Sequence, residues 1–227
     1  MKTITTQIQI LKQHFPDIDF SGLSGEGYVI PKWHLIAPTY IEALQKVLDV
    51  IKSTRPFYNW RSSEMSGFRE TAEKVEAMKS LPDIMVIDAQ LGNKYKGRSV
   101  RDVREALKEM SSPKEFGLGA YEVAIILLTH PDTLKSYDDL WIDCVGDEFK
   151  LGDEHEFSYA PLFNFFDGGG LGFDAYRVDS AGDGCGSASG FLPQSLENRD
   201  LESFAPLSLE ARVQKIEEIL GHYNLSV

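Results

Sequence analysis

The chain has 227 residues, of which 42% are hydrophobic, 11% aromatic and 26% charged, a balance that excludes a disordered or fibrous protein. Two cysteines, Cys144 and Cys185, are too few for a disulfide framework, and a chain of this length buries enough surface to fold without one. No apolar run approaches the roughly 20 residues of a membrane span, and residues 1–12 show no secretory-type apolar core. A cytoplasmic protein away from the membrane is the expectation.

Elements follow from periodicity and punctuation. Ile4, Ile8, Leu11 and Phe15 recur at helical spacing, which predicts a helix over 3–15 stopped by Pro16. Tyr28 to Pro31 reads as a short strand. Thr39 caps a helix whose apolar face carries Ile41, Leu44, Val47, Leu48 and Ile51. An aromatic knot, Phe57, Tyr58 and Trp60, sits between Arg55 and Arg61 and precedes a helix expected near 68–80, with Phe68, Ala72, Val75 and Met78 inward. The apolar run Asp83 to Asp88 predicts a buried strand. Ser99, with Asp102 three residues on, opens a helix with Val100, Val103, Leu107 and Met110 on its inner stripe. The segment Ala120 to His130 is apolar almost all round, so it should be the most buried helix.

From Leu140 the pattern turns to short β-type runs, 140–145, 157–163, 171–178 and 187–192, separated by glycine-rich turns at 167–170 and 181–184. A polar linker over 193–206 leads to a last helix capped by Ser208. The reading is therefore α+β: helices mainly in the N-terminal half, packed on a mainly antiparallel sheet from the C-terminal half, with one C-terminal docking helix. Residues 1–227 are taken as a single domain, with a subdomain boundary near 117 as the alternative.

The formal net charge is −12, and its placement matters more than its sum. Residues 1–120 hold 17 basic and 15 acidic side chains, whereas residues 121–227 hold 6 and 20. Twelve carboxylates fall between Asp138 and Asp183 against only Lys150 and Arg177. Such a field repels nucleic acid and anionic membrane and attracts basic proteins. Lys94, Lys96, Arg98, Arg101, Arg104 and Lys108 cluster, but interleaved acids make that helix face read as locally ion-paired.

Residues 179–190 surround Cys185 with glycine, serine and alanine. As a nucleophile this thiol would need a nearby base, for which His130 and His155 are the weak candidates, and the surrounding carboxylates oppose thiolate formation. The segment lacks the twelfth-position glutamate of a calcium loop. A looser calcium site would use Asp167, Asp174, Asp179 and Asp183; otherwise no metal or cofactor is expected. Scattered histidines and cysteines form no zinc pattern. With no complete catalytic set, the preferred reading is a non-catalytic acidic binding or regulatory protein, of inhibitor or immunity type. It would meet a basic protein partner through Asp147, Glu148, Glu154 and Glu156. A hydrolase or transferase with its site near Cys185 and the Asp-rich hairpins is the alternative, and assembly through segment 55–61 a third. The sequence sets no oligomeric state.

Overall fold

Capping and apolar spacing place the helices. A computed structural model describes residues 1–79, 81–110 and 115–191. Helix α1 (Ile4–His14) begins where the Thr3 side chain accepts the Thr6 N–H, and α2 (Tyr40–Thr54) where Thr39 accepts the Glu42 N–H. Helix α2 buries the predicted Leu44, Val47, Leu48 and Ile51. Helix α4 (Val100–Glu109) starts at Ser99, which accepts the Asp102 N–H, and buries Val100 and Val103, while Met110 beyond its end is exposed. All ten residues of α5 (Ala120–Thr129) are buried, as its all-round apolar composition requires.

Helix α3 (Ala72–Lys79) departs from expectation. Phe68 belongs to a strand, Val75 is 40% exposed and the charged Lys74 is buried instead. The helix is rotated to bring an ammonium, rather than a valine, against the interior. The partners of Lys74 supply the reason and are described below.

The fold is mixed α/β, with a ten-stranded, mostly antiparallel sheet. Its strands are β1 (Tyr28–Pro31), β2 (Phe57–Asn59), β3 (Phe68–Glu70), β4 (Ile84–Leu91), β5 (Glu115–Gly117), β6 (Trp141–Asp143), β7 (Asp147–Phe149), β8 (Tyr159–Phe166), β9 (Gly170–Arg177) and β10 (Cys185–Phe191). Half of them come from the first 117 residues, so the sheet is not a C-terminal property. The turn at 167–170 makes the expected hairpin, joining β8 and β9 in antiparallel register. The turn at 181–184 does not. It carries the chain away from β9, and β10 enters the middle of the sheet, antiparallel to β4 and β5 and parallel to β6. Small residues make that central position available: a side chain at Gly186 would strike the carbonyl oxygen of Gly92, which itself turns with φ +100°.

Strand alternation divides the sheet into two faces. Ala160 joins Tyr95, Val100, Val103, Val145 and Val178 in the core beneath α4. Phe163 and Phe173, pointing the other way, stack among Phe68 and Phe149. Helices α2 and α5 pack on each other and on β1, β2 and β3. Arg55 donates to the carbonyls of Leu127, Pro131 and Leu134, closing the C-terminal end of α5, while Tyr58 and Trp60 remain exposed as a stacked pair. The chain divides into two units, Met1–Leu192 and Pro193–Val227. Residue 117 falls inside the first, and the expected linker and C-terminal helix lie outside the described residues. Among the described residues no helix is long and apolar enough to cross a membrane.

Candidate functional site

A cavity of about 550 Å³ opens at the N-terminal ends of the parallel strands β6 and β10. Its walls come from the turn after β4 (Asn93, Lys96), the segment before β6 (Tyr137, Asp138, Asp139, Leu140) and the loop into β10 (Asp183, Gly184). Trp141 and Cys185, opposite each other in the strand register, complete the lining. The segment at 135–139 is folded on itself, because one Asp139 carboxylate oxygen accepts the N–H groups of Lys135 and Ser136. Among the described residues, three carboxylates thus line the opening against one lysine, and Tyr137 and Trp141 contribute aromatic rings to the same lining.

Behind this lining, on the same face of the sheet, stand Asp143 and Ser187, again opposite each other. Both are buried, at 7% and 0% exposure. The Ser187 hydroxyl has no hydrogen-bond partner among the described residues, and none of them donates to the Asp143 carboxylate. Burial pushes the Asp143 carboxyl up to about 7. Burial, with the field of Asp143 second, pushes the Cys185 thiol up to about 11. At neutral pH that sulfur is a protonated, weakly polar group rather than a nucleophile. Alkylation of Cys185 by iodoacetamide at pH 7 should accordingly run about a hundredfold slower than that of free cysteine. Rates followed by mass spectrometry from pH 7 to 10 test this, and a rate at pH 7 equal to that of free cysteine would contradict it.

The other anticipated residues disperse. His130, the weak base candidate, is buried, accepts the Lys2 N–H and sits edge-on to Tyr28; burial lowers its pKa to about 4. His155 is exposed in the loop before β8. Neither lines the cavity that holds Cys185. Of the four residues expected to greet a partner, Asp147 is wholly buried and bound to Lys74, and Glu148 is paired with Arg69 at 2.6 Å. Glu154 and Glu156 are exposed. Cations from the earlier half of the sequence thus neutralise part of the acidic stretch between Asp138 and Asp183.

The four aspartates of the looser calcium site do not converge either. Asp174 is paired with Arg61 and Asp179 with Arg177, Asp167 lies in the β8–β9 turn, and Asp183 is at the cavity. Among the described residues no group of three or more metal-ligating side chains gathers. Half of the basic cluster is engaged in structural contacts. Lys94 binds Glu115, Arg104 donates to the Val145 and Asp147 carbonyls, and Lys108 meets Glu73.

Sequence reasoning missed a buried charge cluster at the start of α5. The Lys74 ammonium lies 2.7 Å from Glu122, 3.1 Å from Asp147 and 3.3 Å from Glu70. Burial works against its charge, but the three carboxylates together hold its pKa above the ordinary value. Asp147 accepts hydrogen bonds from Tyr40 and from the Ala120 N–H, Glu122 accepts the Gly119 N–H, and the Tyr40 hydroxyl accepts the Tyr121 N–H. The free amide groups of a buried helix N-terminus are satisfied in this way. A side chain at Gly119 would run into both Asp147 and Lys74. The one available sequence signal, a glutamate three residues after Gly119, resembles a capping box without its usual serine or threonine.

No protein-family model, curated protein or solved structure matches this chain. Its functional reading therefore rests on the geometry of the cavity.

Proposed function

We propose that this is a non-catalytic binding protein of inhibitor, immunity or regulatory type, which recognises a basic protein partner through the cavity between the 137–141 segment and the start of β10. One observation carries the reading: among the described residues, Asp138, Asp139 and Asp183 line the opening against Lys96 alone, with Tyr137 and Trp141 in the same lining. Carboxylates at the mouth of a concavity concentrate negative potential there, which speeds encounter with a cation more than it sets final affinity. The ring faces of Trp141 and Tyr137 add attraction for the same charge. A protonated Cys185 contributes packing and weak polarity.

The test compares position at constant charge. Full-length protein flows over immobilised protamine, an arginine-rich basic probe, at low and at physiological salt. Asp138→Asn with Asp183→Asn is compared with Glu105→Gln with Glu109→Gln, two exposed glutamates on α4. The cavity pair should lower the association rate at low salt by about tenfold, the control pair by less than about twofold. Equal effects of the two pairs would reduce the attraction to net charge and overturn the reading.

A further inference from the structure

The surroundings of the cavity specify which cation it takes. We infer that it receives the guanidinium group of an arginine side chain, seated against Trp141 and Tyr137 and directed at the buried pair Asp143 and Ser187. The inference rests on the binding role proposed above and deepens it by naming the group recognised.

Three observations support a built site rather than a loose acidic patch. The first is the concavity itself, whose volume lies in the range of ligand sites. The second is the aromatic component: a planar, weakly hydrated guanidinium stacks on indole and phenol faces, whereas a compact, strongly hydrated ammonium does so less well.

The third is the unpartnered chemistry behind the lining. Asp143 and Ser187 are buried, lie two residues further along their strands than Trp141 and Cys185, and share their face of the sheet. The Ser187 oxygen lacks any partner and Asp143 lacks a donor among the described residues. A buried hydroxyl left in the condition of Ser187 is uncommon in folded proteins. Elsewhere in this chain buried carboxylates do have partners: Lys74 serves Asp147 and Glu122, and Lys94, Tyr95 and Ser189 serve Glu115. Asp143 is the departure from that pattern. It lies beside a cavity whose rim already selects positive charge. A guanidinium carries five N–H donors in a flat fork, enough to reach a carboxylate and a hydroxyl oxygen inward while meeting Asp138 or Asp183 at the rim. An ammonium, with three donors at one point, cannot serve both levels.

The experiment titrates N-acetyl-L-arginine methylamide into the ¹⁵N-labelled full chain, with the lysine and citrulline analogues as comparators. Amide shifts should concentrate on the Trp141 indole and on residues 184–187. The arginine probe should bind at least tenfold more tightly than the lysine probe, and citrulline, which keeps the shape without the charge, should not saturate. Asp143→Asn should weaken the arginine probe tenfold or more, and Ser187→Ala, which keeps the volume small, about threefold. Equal binding of arginine and citrulline, lysine binding as tightly as arginine, or unchanged affinity in both folded variants would each overturn the assignment. If protamine association still depends on Asp138 and Asp183 while the arginine probe fails, only this inference falls; if the protamine dependence is absent, the binding role falls with it.

Discussion

Lys74→Met is expected to destabilise the protein by about 3–5 kcal/mol, the usual cost of removing one partner from a buried ion cluster. The substitution leaves Glu70, Glu122 and Asp147 around an apolar side chain, and Glu122 already has one oxygen without a hydrogen-bond partner among the described residues. The N–H groups at the start of α5 compensate only part of that charge. For a chain of this size the loss corresponds to a fall in melting temperature of roughly 10–15 °C. Urea unfolding followed by circular dichroism measures it, and a loss below about 1 kcal/mol would show that the cluster is not a structural keystone. Adding Glu122→Gln and Asp147→Asn to Lys74→Met should recover part of the stability, because those changes remove the stranded charges.

The same cluster shows why some of the fold was legible in the sequence and some was not. Helices whose inner face is apolar and whose first residue caps, α2 and α4, announce themselves, because burial and capping act within a few residues. In α3 the apolar stripe pointed to Val75 and Met78; Met78 is buried, but Lys74 takes the place expected of Val75. Two of its three carboxylate partners lie 48 and 73 residues further along, and no local pattern encodes a meeting at that distance. Strand β10 fails in the same way. The glycines at 182 and 184 read as a hairpin turn, but whether a turn closes a hairpin or launches a crossover depends on which strand edge is free, here the edges of β4 and β6.

The site was half legible. Charge asymmetry and the small residues around Cys185 are visible in one dimension, and both reach the cavity as Asp138, Asp139, Asp183 and Cys185. Invisible were the neutralisation of Glu148 by Arg69 and the burial of Asp147, which a count of charges treats like any exposed acid. Invisible too was the difference between Asp143, which has no donor among the described residues, and its neighbours, since a carboxylate's worth depends on what faces it in three dimensions.

Asp143→Asn is expected to stabilise the protein at pH 8 by up to about 4 kcal/mol and to leave it unchanged at pH 4. Burial raises the folded-state value of this carboxyl from the ordinary 3.8 to about 7. Below pH 4 it is neutral in both states and costs nothing. Between pH 4 and 7 the unfolded chain releases the proton while the folded chain retains it, so the folded state loses stability as pH rises. Above pH 7 both forms are ionised, and the native state carries the full cost of the buried charge. Asparagine has no such charge, so its stability profile should lack this decline. Urea unfolding of both proteins at pH 4, 6 and 8 checks the sign, and parallel profiles would mean that Asp143 is solvated or paired in solution. A residue that lowers stability at neutral pH is expected where function requires it. Saturating the cavity with the arginine probe at pH 8 should therefore restore stability to the native protein by mass action, and much less to Asp143→Asn. That pairing separates a carboxylate held ready for a cation from one that is merely badly placed: the first recovers its stability when the ligand arrives, and the second does not.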